Sequence, residues 1–212
     1  GSVCHALDPA TGETLKEIEL PKMESGESPD WGYIGVYKDI LIGGQGFASY
    51  GTRHGLSFES DKELKAKKTG FGSKSWDRAA SVGLVGFDRH SGEVLWKVPA
   101  NHSFWHNGIV AGGDQIYCLD RNPTQVEAAM RRRGISRPET YRIVAFDYRT
   151  GKPQWEINEG ISGTWLGYSE EHDLLLQAGA AATDRLVTET GQGMAVYSAA
   201  DGSLKWRKDS LR

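Results

Sequence analysis

The chain has 212 residues, 38% of them hydrophobic and 25% charged, so it carries enough apolar material to bury a core and should be globular. Its 25 basic and 28 acidic residues leave a net charge of −3, which provides no global field to recruit nucleic acid or an anionic membrane surface. Two cysteines, Cys4 and Cys118, are too few for a disulfide framework or a zinc cluster, and no stretch reaches the roughly 18 apolar residues of a spanning helix. The residues from Gly1 to Asp8 lack the charged and apolar regions of a signal peptide. Sequence separation leaves both a free and a bridged state open for Cys4 and Cys118.

With 27 glycines against 7 prolines, and short apolar runs between turn residues, the composition predicts many strands and tight turns. One phrase organises them, small-x-Asp-x-x-Thr/Ser-Gly-x-x-x-Trp. It occurs with Asp8, Thr11, Gly12 and Lys16; with Asp88, Ser91, Gly92 and Trp96; with Asp147, Thr150, Gly151 and Trp155; and with Ser198, Asp201, Gly202 and Trp206. Alternating residues such as Leu84, Gly86 and Asp88 predict one strand, and Val94 and Trp96 open the returning one. In the turn between them the Asp carboxylate can accept backbone amides, while the Gly supplies a positive φ. The Trp is then expected to bury its ring between neighbouring sheets.

After each of the first three copies comes a second phrase, at 31–42, 105–118 and 165–176. Each reads as two strands about a polar turn, at Lys38 and Asp39, at Gly113 and Asp114, and from Glu170 to Asp173. Two hairpins per repeat make four strands, the content of one propeller blade. The turn glycines are 80, 59 and 51 residues apart (92−12, 151−92, 202−151). An undecorated blade needs about 40 to 50 residues, so insertions are expected at about 51–81 and 121–141. The second insertion predicts a short helix: Thr124 and Glu127 have capping-box spacing, Val126, Ala129 and Met130 share a face, and Arg131, Arg132 and Arg133 precede Gly134.

The repeated phrase resembles the tryptophan-docking motif of the pyrroloquinoline-quinone (PQQ) dehydrogenase-like propellers, over essentially the whole chain. That superfamily includes quinoprotein alcohol dehydrogenases and the non-enzymatic propeller subunit of the bacterial outer-membrane β-barrel assembly machine. The resemblance implies an all-β propeller, here about three and a half four-stranded blades as a partial ring. Lys16 stands where a Trp belongs, and Ser198 where an Asp belongs. Members of the family close with about seven or eight blades, so the chain is expected to be a piece of a longer propeller, or to meet a second copy edge to edge in a seven-bladed ring.

For an active quinoprotein the resemblance implies a quinone stacked under a disulfide of two adjacent cysteines, Ca²⁺ held by carboxylates and an Asn, and an Asp base. This chain has no adjacent cysteine pair. The expectation is therefore a non-catalytic scaffold, without cofactor, that presents a rim to another protein or to further blades, in a bacterial, extracytoplasmic setting. The alternatives are a segment of a PQQ- and Ca²⁺-dependent alcohol or sugar dehydrogenase, or a carbohydrate- or peptide-binding propeller.

Trp31, Trp105 and Trp165 fall at matching places, at the start of the strand nearest the central channel in this family. They read first as repeat-defining core residues and, in a binding role, as the lining of a funnel for a peptide or planar ligand, with His106 beside Trp105. His102 and His106 have an i, i+4 spacing that suits metal ligation on a helix, but their segment reads as loop and strand. Cys4-His5 lacks the first cysteine of a haem attachment sequence, and the glycines at 43–46 and 70–72 lack a phosphate-binding context. The basic runs at 62–68 and 131–133 read as solvated faces rather than docking sites for an acidic partner.

Overall fold

The computed structural model of the chain describes residues 1–48, 79–122, 132, 134, 141–161, 163–179 and 193–209. The expected insertions at 51–81 and 121–141, the helix expected between Thr124 and Gly134, and the basic run at 62–68 lie outside these residues except at their margins. No helix among the described residues is long and apolar enough to cross a membrane.

Thirteen strands carry the fold among the described residues. Strands β1 (Val3–Leu7) and β2 (Thr14–Glu19) form a lone hairpin. A seven-stranded antiparallel sheet follows: β3 (Trp31–Tyr37), β4 (Ile40–Gln45), β5 (Ala80–Asp88), β6 (Val94–Gly112), β7 (Gln115–Asp120), β8 (Arg142–Asp147) and β9 (Pro153–Ile157). The last sheet has four strands, β10 (Trp165–Ser169), β11 (Leu174–Ala178), β12 (Met194–Ser198) and β13 (Leu204–Lys208). Sheet order follows chain order throughout, which is the meander of a propeller blade.

The seven-stranded sheet is two blades fused through β6, whose 19 residues serve as the outer strand of one and the inner strand of the next. Residues 94–99 pair with β5, as do Phe104 and Trp105 beyond a register shift between Ser81 and Gly83, while Phe104 and residues 109–112 pair with β7 across a second shift between Phe104 and Ile109. The sequence phrases place a new strand at Trp105, whereas the chain stays extended through the crossover. A buried carboxylate explains this: Asp120 accepts the amides of Asn101, His102 and Ser103, so the crossing residues have partners without breaking the strand. The fold is accordingly an all-β propeller of three blades preceded by the outer hairpin of another, three and a half in all.

Each outer turn is built as its phrase predicts. The Asp88 carboxylate accepts the amides of His90 and Ser91 at 2.9 and 2.7 Å, and Asp8 and Asp147 act in the same way in their turns. At the fourth turn Asp201 accepts the Ser203 amide instead. The four turn glycines all have positive φ, between 65° and 79°. The inner turns use left-handed Lys38, Asp114 and Asp173, beside Gly113 in the second blade.

Blades pack face to face through three apolar layers. Ile18, Leu20, Trp31, Leu41, Val85 and Phe87 join the lone hairpin to the first blade. Ile40, Ile42, Leu84 and Trp96 meet Ile109, Ile116, Cys118, Val144 and Phe146 of the second. Tyr117, Leu119, Ile143 and Ala145 meet Leu166, Leu175, Ala195 and Tyr197 of the third. Each fully buried aliphatic or aromatic side chain contributes roughly 1.5–3 kcal/mol, so these layers supply most of the driving force. Cys4 and Cys118 are free thiols in different layers, and burial raises the pKa of both.

Candidate functional site

The polar groups with chemical potential gather where β6 crosses between the first two blades. Asp120, at the end of β7 and fully buried, accepts Nε of Arg142 at 3.1 Å besides its three amides. Arg142 also donates to Glu156 at 2.7 Å. Next along the chain, the Arg121 carbonyl accepts the Ser103 hydroxyl at 2.6 Å and the Trp105 indole at 2.9 Å. The Arg121 guanidinium spans to the third blade, donating to the Gly163 carbonyl at 2.6 Å while lying 4.9 Å from the Tyr141 ring centroid. These groups are consumed by the fold and hold three blades in register.

Beside this knot, His106 shares a hydrogen bond between Nε2 and the Ser81 hydroxyl at 2.9 Å, with Tyr33 and Phe47 rings each 6.1 Å away. Burial lowers the pKa of His106 to about 4, so the imidazole is neutral at physiological pH. A serine–histidine pair has the composition of a nucleophile and its base. Catalysis would require access to the serine oxygen and a third group to orient the imidazole. Ser81 is fully buried, and no carboxylate contacts His106 among the described residues.

The four residues singled out for ligand binding occupy separate environments. Trp31 is buried against Phe87 in the first layer, ring centroids 5.5 Å apart, and its indole N–H has no partner among the described residues. Trp105 is buried and bonded to Arg121, whereas Trp165 is 40% exposed on the third blade. His106 faces Ser81. Its neighbour His102 turns to Asn122 and Tyr141, so the two histidines serve different partners.

No three metal-ligating side chains converge among the described residues, and the two cysteines lie in different layers. The Ser81–His106 pair and the Asp120 knot escaped the sequence reading because their members are 17–25 residues apart and meet only through sheet register. The run Asp120-Arg121-Asn122 directly after an apolar strand was the available signal.

No family model matches the chain, and no curated protein matches it. Among solved structures it is similar to a quinohemoprotein alcohol dehydrogenase from Pseudomonas putida HK5, at 12% identity and a TM-score of 0.54, over 98% of this chain and 31% of that one. A europium-containing methanol dehydrogenase matches at 9% identity and a TM-score of 0.53, over 99% and 40%. The computationally designed Ika8 protein matches at 12% and 0.53, over 98% and 43%. The chain thus spans less than half of each of these proteins, and the likeness is one of fold.

Proposed function

We propose that this chain is a non-catalytic PQQ-like propeller unit that serves as a protein-binding scaffold outside the cytoplasm. The observation that carries this reading is how its side chains are distributed. Polar groups at the crossover are spent on internal partners, while Ile34 and Val36 on β3, and Leu204 and Trp206 on β13, remain exposed on blade faces. Exposed apolar side chains paired in this way on a strand are what a protein partner or a further blade would cover. Ile34 and Val36 alternate along β3 and pair with Gly43 and Leu41, so they share the face that carries the first apolar layer. In this reading the indoles of Trp96 and Trp155 are the docking tryptophans of the PQQ-like repeat, used to join blades rather than to hold a cofactor.

The rival assignment, a dehydrogenase segment, is separated by titrating the protein with PQQ and Ca²⁺, following quinone absorbance and dye-linked oxidation of alcohols and sugars. The scaffold reading expects neither saturable quinone binding nor turnover. Saturable binding accompanied by turnover overturns it.

A further inference from the structure

The inner turn of the first blade departs from its counterpart in the second. Strand β3 turns into β4 at Lys38, whose φ of +52° lies in the left-handed region that Gly, Asn and Asp tolerate best. The second blade has Gly113 at that place, and Gly112 where the first has Tyr37. Asp114 and Asp173 also correspond, since their carbonyls accept the amides of Tyr148 and Ala199 from the following outer turn. Tyr37, Lys38, Tyr148 and Asp114 therefore meet between the first and second blades, where the next junction has Gly112, Gly113, Ala199 and Asp173. The later junction packs its apolar layer without the two tyrosines and the lysine, so blade packing as such does not account for them.

Together these side chains cage an ammonium group. The Tyr37 and Tyr148 rings stand edge to face, with centroids 5.3 Å apart and planes at 81°. Lys38 Nζ lies 5.2 Å from the first centroid and 5.1 Å from the second, and donates to the Asp114 carboxylate. Ring faces and a carboxylate are the groups that attract a cation. The walls are held by bonds that do not involve Lys38. The Tyr37 hydroxyl accepts the Asp114 amide at 3.3 Å, the Tyr148 amide donates to the Asp114 carbonyl at 3.3 Å, and the Tyr148 carbonyl accepts the Trp96 indole at 2.9 Å. Lys38 is half-exposed and Asp114 more so. An exposed pair of this kind contributes little net energy, so the lysine can swing out while the cage stays formed.

We propose that the Tyr37–Tyr148–Asp114 cage is a binding site for the lysine side chain of a protein partner, with Lys38 as its resident competitor. Lys38 itself displays the fit, an ammonium carried on a flexible alkyl stem. Asp114 accepts an N–H from the occupant, which selects a primary ammonium over a quaternary one. The ammonium chemistry stands on the cage geometry, and only the partner's being a protein rests on the scaffold reading. Quinone turnover would overturn that reading and leave the ammonium site intact, whereas failure of the titration below would remove the site and leave the scaffold reading.

The test is an NMR titration of the 212-residue chain at constant ionic strength, following tyrosine ring signals, with Nα-acetyl-lysine methylamide as the probe. Wild type is compared with Lys38→Asn, which vacates the cage and tolerates the positive φ, and with Lys38→Asn/Asp114→Asn, circular dichroism checking that each is folded. Lys38→Asn is expected to bind the probe saturably, with a dissociation constant on the order of 1 mM. Wild type should bind about tenfold more weakly, because the tethered Lys38 competes, and the double variant also about tenfold more weakly than Lys38→Asn. On Lys38→Asn, the Nζ-acetylated probe and tetramethylammonium should each bind about tenfold more weakly than the lysine probe, a comparison that needs no second substitution. A folded Lys38→Asn that does not saturate, a wild type or double variant that matches it, or equal binding of either control compound would each overturn the proposal.

Discussion

Trp96 donates its indole N–H to the carbonyl of Tyr148 at 2.9 Å, and the amide of Tyr148 donates in turn to the carbonyl of Asp114 at 3.3 Å. The outer strand of one blade is thereby tied through the outer turn of the next blade to that blade's inner turn. Trp155, Ala199 and Asp173 repeat the chain of contacts one blade on, at 3.0 Å for each link.

Removing the indole therefore does more than open a cavity. Trp96→Ala is expected to cost about 3–5 kcal/mol of folding stability, the range for deleting a buried aromatic ring. Trp96→Phe, which keeps most of the packing and orphans the Tyr148 carbonyl, should cost about 1–3 kcal/mol. Trp206→Ala should stay within about 0.5 kcal/mol, since that ring is 44% exposed. Urea denaturation of the three variants checks this order, and equal losses at positions 96 and 206 would refute it.

Lys16 is the exception in the series, and the atoms nearest to where a Cβ would stand on Gly92 belong to Ile18 and Lys16, in ordinary van der Waals contact. Lys16→Trp should restore the stack and raise stability by roughly 1 kcal/mol, visible as a higher thermal midpoint. A lower midpoint would mean that this junction cannot admit an indole.

Asp120 carries the crossover. Asp120→Ala would strand three amides and leave Arg142 with Glu156 as its acceptor. The expected loss is about 3–5 kcal/mol. Amide hydrogen exchange should localise the loosening to residues 100–104. Uniformly unchanged protection there would contradict this role.

His106 and the carboxylates of the outer turns contribute to acid sensitivity. His106 has a folded pKa of about 4 against 6.5, so between those values the unfolded chain binds a proton that the native protein does not. Its share of stability is present above pH 6.5 and is lost as pH falls to about 4. His106→Gln, which can still bond Ser81, should flatten that slope in urea midpoints measured from pH 7 to pH 4.5. Asp88 and Asp147 act lower. Amides and hydroxyls of their turns hold both carboxyls below 3.8, so their contribution is present above that value and disappears as pH falls further.

The blades were legible in the sequence because their turns depend on local chemistry: Asp147 bonds to amides two and three residues away, and Gly151 needs only its own φ. The fusion of two blades through β6 was not, since it rests on Asp120 reaching amides 17–19 residues back. Nor does periodicity distinguish Trp105 from Trp165. The phrases place them alike, and only the neighbouring elements decide which ring is buried. The Ser81–His106 pair depends on β5 and β6 meeting in a particular register, which no local pattern encodes.

The Trp96 and Trp155 indoles bond across blades while that of Trp206 is exposed, and hydrogen exchange of the tryptophan indole protons, read by NMR, tests this most directly. The Trp96 and Trp155 indole protons should exchange slowly and that of Trp206 at close to the rate of a free indole. Slow exchange at Trp206, or fast exchange at Trp96, would contradict this.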